Sequence, residues 1–166
     1  GSNNTVGGHG ALSSNTTASD NTAFGYLALQ VNTTGVRNTA MGSLSLDANT
    51  TGEKNTGLGY AALSSNTTGS FNIGIGNEAL ISNTTGAENI AIGHQALKSN
   101  TANNNVGIGH EALEDNTSGT SNVAVGYESL TSNTTASNNT AVGYQSLLAN
   151  TTGSRNVALG FEAGEA

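Results

Sequence analysis

NTAVGYQSLLANTTGSR, from Asn139 to Arg155, is one copy of a unit that recurs along the whole chain, and NTAFGYLALQVNTTGVR, from Asn21 to Arg37, is another. Units begin at Asn4, Asn21, Asn38, Asn55, Asn72, Asn89, Asn105, Asn122, Asn139 and Asn156. Each step is seventeen residues, except the sixteen from Asn89 to Asn105. The consensus is N-[TVI]-[AG]-Φ-G-Y-x-[AS]-L-x-x-N-T-T-G-x-x, with Φ a large aliphatic. A short fixed period means that each unit is one turn of a solenoid, stable only when stacked on its neighbours. The fold class is therefore all-β: a parallel β-solenoid with a single strand per coil, in ten coils.

The positions of the unit divide the coil. Positions two to four are β-prone, as in Val123-Ala124-Val125 and Ile90-Ala91-Ile92, and supply a short strand. Gly at position five occurs in all ten units and turns the corner. Positions six to eleven (YESLTS, HQALKS) suit a single helical or irregular turn, too short to be a helix alone, and N-T-T-G is a turn signature. Strands stacked at about 4.8 Å make ten coils a rod roughly 45 Å long.

Stacking places equivalent residues in columns. Asn21, Asn38, Asn55, Asn72, Asn89, Asn105, Asn122 and Asn139 form one ladder at position one. Asn32, Asn49, Asn66, Asn83, Asn100, Asn116, Asn133 and Asn150 form a second at position twelve. Two apolar columns are expected to form the core. One is position nine: Leu29, Leu46, Leu63, Leu80, Leu97, Leu113, Leu130 and Leu147. The other is position four, which includes Ile75, Ile92, Ile108, Val125 and Val142. That core is thin for the entropy of ordering seventeen residues per coil. Position three, Ala or Gly in nine of ten units, would then face outward as a flat strip against which neighbouring solenoids pack, most simply around a symmetry axis.

Composition narrows the function. The chain has 166 residues, no Cys, no Pro, no Trp, and a formal charge of −7 with four basic residues. That charge disfavours nucleic acid and anionic membranes as partners, and no stretch is long and apolar enough to span a bilayer. Disulfides and thiolate metal sites are excluded. Residues 1–3 are read as a tag remnant and N-terminal end, and residues 4–166 as one repetitive domain.

The strands NIAIG (Asn89 to Gly93), NVAVG (Asn122 to Gly126) and NVALG (Asn156 to Gly160) resemble the head repeat of trimeric autotransporter adhesins. The full unit is also similar to repeats of bacterial and phage fibre proteins. This resemblance implies a left-handed β-roll, three chains side by side as a homotrimer, an extracellular or cell-surface location, and adhesion to a glycan or protein on a target cell. The seventeen-residue unit departs from the shorter adhesin repeat.

No nucleophile–base–acid set is present, so no catalytic residue, cofactor or metal is assigned and the chain is not expected to be an enzyme. The candidate ligand-contact column is position six: Tyr26, Tyr60, His94, His110, Tyr127, Tyr144 and Phe161. It is a platform for sugar stacking or, equally, a structural stack. His94 and His110 lie one rung apart, but the spacing shows no carboxylate or Cys suited to completing a metal site. The N-T-T sequons recur because the coil recurs and are read as incidental. A third alternative is ice binding through stacked Thr at positions thirteen and fourteen. The unit from Asn89 drops one loop residue, and the first unit has Gly7 at position four.

Overall fold

Three extended residues followed by Gly are too few to persist alone, and they persist here by pairing with identical neighbours. The computed structural model describes residues 1–164. It contains strands β1 (Thr5–Gly7), β2 (Thr22–Phe24), β3 (Thr39–Met41), β4 (Thr56–Leu58), β5 (Ile73–Ile75), β6 (Ile90–Ile92), β7 (Val106–Ile108), β8 (Val123–Val125), β9 (Thr140–Val142) and β10 (Val157–Leu159). They form one parallel ten-stranded sheet in chain order. Equivalent positions pair throughout, as in Thr22 with Thr39 and Ala23 with Ala40. The sixteen-residue step keeps this register, with Ile90 opposite Val106. The expected single-strand solenoid is therefore the architecture.

Hydrogen bonding does not stop at the strand. Leu29 N–H donates to the Ser45 carbonyl at 3.0 Å, and Leu46 N–H to Ala62 at 3.0 Å. In the loop, Thr33 N–H donates to Thr50 at 3.0 Å. Each coil is thus bonded to the next around most of its circumference. This supplies backbone satisfaction that the thin core by itself does not.

The inside of the coil differs from the expected core in one respect. The position-nine leucines from Leu29 to Leu130 are wholly buried, and Leu147 nearly so. Position three is also buried, with Ala23, Ala40, Ala91, Ala124 and Ala141 at zero exposure. Position four points the other way. Ile75 and Ile92 are exposed, and Ile108, Val125 and Val142 are half-buried on the outer face. Those five residues are not core, and the Ala/Gly strip is interior rather than a contact face. The reason is width. A Cβ added at Gly74 would stand 3.2 Å from Leu63 Cγ and 3.2 Å from the Ala79 carbonyl, and one at Gly107 would stand 3.1 Å from Leu97 Cγ. The leucine of one coil packs directly onto position three of the next, so only a small residue fits there. Alternation along the strand then sends positions two and four outward.

Among the described residues, positions six to eleven form no helix. Positions seven and nine take the left-handed conformation, as at Leu27 (φ 57°) and Leu29 (φ 51°), or Glu111 (φ 55°) and Leu113 (φ 56°). Left-handed residues alternate with residues that are not left-handed, which prevents the i→i−4 bonding of a helix. Non-glycine residues in this region carry about 1–3 kcal/mol each and persist only where the surroundings hold them. Here the buried leucine and the bond to the next coil hold them. Position five has φ near 137° at Gly93 and Gly126, and a Cβ on either would collide with the carbonyl of the next corner glycine. Its recurrence therefore has two separate causes.

Two asparagine ladders line the interior, each with its own bonding. At position one, the side-chain Oδ1 accepts the backbone N–H of the next coil's Asn, as from Asn38 to Asn21 at 2.9 Å and from Asn139 to Asn122 at 3.0 Å. At position twelve the side chains bond one another, Asn49 Nδ2 to Asn32 Oδ1 at 2.8 Å and Asn66 Nδ2 to Asn49 Oδ1 at 2.9 Å. Both ladders also donate to the carbonyl at position fifteen, as Asn38 and Asn49 do to Gly52. In the shortened coil Ala102 supplies that carbonyl instead, two residues after Asn100. Asn100 then no longer reaches back, and Asn83 Oδ1 is enclosed without a partner.

Residues 1–3 lie on the solenoid in register. Ser2 N–H donates to Ser19 Oγ at 3.0 Å and Asn3 Nδ2 to Asp20 Oδ1 at 3.1 Å. Asn3 and Asp20 share a left-handed backbone, so the three residues stack on Ala18, Ser19 and Asp20 of the first unit.

Candidate functional site

Position six follows the corner glycine and faces solvent, so its side chains stack along the rod at the coil spacing. His94, His110, Tyr127, Tyr144 and Phe161 form a continuous five-ring pile, with successive centroids 5.1, 5.0, 5.3 and 5.2 Å apart. Interplanar angles of 8–15° make the rings nearly parallel. His9 and Tyr26 form a separate pair at 5.7 Å. Ser43 and Asn77 flank Tyr60 in the column, so Tyr60 has no aromatic neighbour and its side chain is exposed.

This geometry separates the candidate contact residues into two groups. Within the pile the internal ring faces are covered by neighbouring rings, and mainly edges remain to meet a ligand. Tyr60, and one side of Tyr26, lack a ring on the adjacent rung. Sugar stacking needs a ring face clear of other rings, and Tyr60 has none stacked on either side.

Beside the pile runs the column at position seven. In a strand, positions six and seven would point to opposite faces. The left-handed backbone at position seven (φ 55° at Glu111, 50° at Glu128) breaks that alternation. Position seven thus becomes a half-buried polar stripe next to the rings. Gln95 Nε2 donates to Glu78 Oε2 at 2.7 Å, and Gln145 Nε2 to Glu128 Oε2 at 2.6 Å. The hydrogen bond and negative charge of Glu128 raise the Tyr127 phenol above its ordinary pKa. Lys98 Nζ bridges to Glu114 Oε1 at 2.9 Å, and that bond raises the lysine's pKa.

The two stripes converge at one place. Ligand atoms of His94, His110 and Glu111 all lie within 4.8 Å of one another. His110 Nε2 stands 3.7 Å from Glu111 Oε1, and His110 Nδ1 is enclosed without a hydrogen-bond partner. The repeat spacing by itself places no carboxylate with the two histidines. Glu111 is the next residue after His110, and its left-handed φ turns it onto the same side. No pattern of residue types announces that φ.

The threonine column at position thirteen is tied into the stack. Thr33, Thr50 and Thr117 Oγ1 donate to the carbonyls of Thr50, Thr67 and Thr134 at 3.0, 3.0 and 2.9 Å. Those hydroxyl protons are therefore not free to bind an ordered water lattice. The sequon asparagines Asn49, Asn66 and Asn116 are wholly buried with Nδ2 in the ladder, so the folded chain offers them to no glycosylating enzyme.

Comparison with protein-family models, curated proteins and solved structures returned no match to the chain.

Proposed function

We propose that this chain is a structural, adhesive segment of a trimeric surface or tail fibre, a rigid rod that associates with copies of itself through the outer face of its sheet. The observation that carries the reading is the exposed row at position four. Phe24 is 55% exposed, Met41 44% and Leu159 77%, and the row continues through Ile75 and Ile92 along the length of the rod. A column of exposed and half-buried aliphatic and aromatic side chains on one face is the kind of surface that association covers. Parallel sheets are ordinarily covered on both faces. The Leu column covers the inner face, and a second copy would cover the outer one. A copy number of three, and an extracellular setting, rest on the resemblance of strands such as NVAVG to the adhesin head repeat.

Light scattering after size exclusion tests this reading. A trimeric mass is expected for the chain, and a monomeric one for Ile75→Glu with Ile92→Glu, with the β-sheet circular dichroism unchanged. A monomeric mass for the unsubstituted chain across its accessible concentration range would end the proposal.

Carbohydrate binding is the second reading, and the uncovered ring of Tyr60 favours it. A glycan array should show binding that Tyr60→Ala abolishes and Tyr127→Ala leaves largely intact, because both faces of the Tyr127 ring are stacked on His110 and Tyr144. Binding indifferent to Tyr60→Ala would remove this reading.

A further inference from the structure

We infer that His94, His110 and Glu111 form a surface site for a borderline divalent transition-metal ion, with Zn2+ as the reference case. Two imidazoles and a carboxylate are the donors that Zn2+, Cu2+ and Ni2+ accept, whereas Ca2+ and Mg2+ favour all-oxygen shells. Three protein ligands leave the fourth tetrahedral position open to water or an added ligand.

The distances are those of an apo site that closes on its ion. Donor atoms about 2.0–2.1 Å from a tetrahedral ion stand roughly 3.3–3.4 Å apart. Here the three ligand atoms all lie within 4.8 Å of one another, and His110 Nε2 is already 3.7 Å from Glu111 Oε1. The two imidazoles lie nearly parallel, 15° apart with centroids 5.1 Å apart. Their in-plane lone pairs meet at one ion only when the rings hinge toward each other. Both side chains have room for this. His94 is exposed, and the His110 side chain retains 41% of its accessible surface. Binding therefore opens the pile at its N-terminal end and loosens His110 from Tyr127.

The surroundings are compatible with a bound cation. His110 Nδ1 has no hydrogen-bond partner to surrender, and Nε2 already faces the Glu111 carboxylate, itself one of the three ligands, at 3.7 Å. Lys98, the nearby positive charge, is already neutralised by Glu114 at 2.9 Å. The combination is also local. Only His94 and His110 place histidines at position six of consecutive coils, and His9 stacks on Tyr26 instead.

Isothermal titration of the chain with ZnCl2 tests the inference. One Zn2+ per chain is expected, with no comparable heat from CaCl2. His94→Ala and His110→Ala should each weaken binding by about tenfold or more, since even the outer partners of metal ligands contribute that much. Glu111→Gln should weaken it less, and His9→Ala should leave it unchanged. The substituted side chains lie on the solvent side of the coil, and circular dichroism checks that the sheet survives. In the unsubstituted chain, Zn2+ should move the ring proton resonances of His94 and His110 and spare those of His9. Absence of Zn2+ heat, affinity unaltered by His94→Ala, or resonance shifts confined to His9 would each overturn the assignment.

Discussion

Asn66 and Asn83 occupy the same position in successive coils, both wholly buried, yet the shortened coil gives them different bonding. Asn66 Nδ2 donates to Asn49 Oδ1 at 2.9 Å and to the Gly69 carbonyl at 3.0 Å, and its Oδ1 accepts from Asn83 Nδ2 at 3.0 Å. Asn83 donates to Asn66 and to the Gly86 carbonyl, but its own Oδ1 is bare. Asn66→Ala removes three bonds and strips Asn49 Oδ1 of its donor. At about 1 kcal/mol net per bond, plus about 1–3 kcal/mol for the newly bare acceptor, the cost is about 4–6 kcal/mol. Asn83→Ala removes two bonds and bares Asn66 Oδ1, but it also deletes an acceptor that was already bare. These last two effects offset one another, leaving about 2 kcal/mol. Cavity effects largely cancel in the comparison, because residue type, position and burial are the same. Urea titration followed by circular dichroism should therefore give a midpoint for Asn66→Ala well below that for Asn83→Ala. Equal midpoints, or a lower one for Asn83→Ala, would refute the claim that the missing loop residue breaks this ladder.

A second pair tests the orientation of the strand. Leu97→Ala, in the buried column, is expected to cost about 2–5 kcal/mol. Ile92→Ala, on the outer face, should change the stability of the isolated chain far less while weakening its self-association, and thermal unfolding with light scattering reads both. Asp47 supplies a pH test. Burial raises its carboxyl above the ordinary carboxylate pKa, against the opposing pull of the backbone N–H groups of Asp47 and Ala48. The folded state thus holds the proton more tightly than the unfolded one, so ionisation lowers stability as pH rises through the carboxylate range. Asp47→Asn should be more stable than the unsubstituted chain at neutral pH and lose that advantage in acid; an advantage that grows in acid would contradict the assigned cause.

Periodicity made the coil, its register, the columns and the corner glycines legible, because each follows from a residue repeating at a set interval. The inward leucines followed as well, since position nine has no rival of comparable size. The site was legible only in part. The aromatic and histidine column, and which of its rungs lack a ring neighbour, follow from stacking alone, but the placement of Glu111 beside the histidines depends on its left-handed backbone.

What the amino-acid sequence determined by itself is the solenoid: seventeen-residue units with Asn and Gly at recurring places can satisfy their backbones only by stacking on copies of themselves. What only the tertiary structure decided is which way side chains point. In a three-residue strand flanked by apolar positions, hydrophobicity would send Ile92 inward and Ala91 outward. The coil is too narrow for that, because Leu97 and its neighbours already fill the interior, so the small residue is buried and the large one faces out. The left-handed turn at position seven likewise arises from closing so small a loop around those leucines, and it places Glu111 beside His94 and His110.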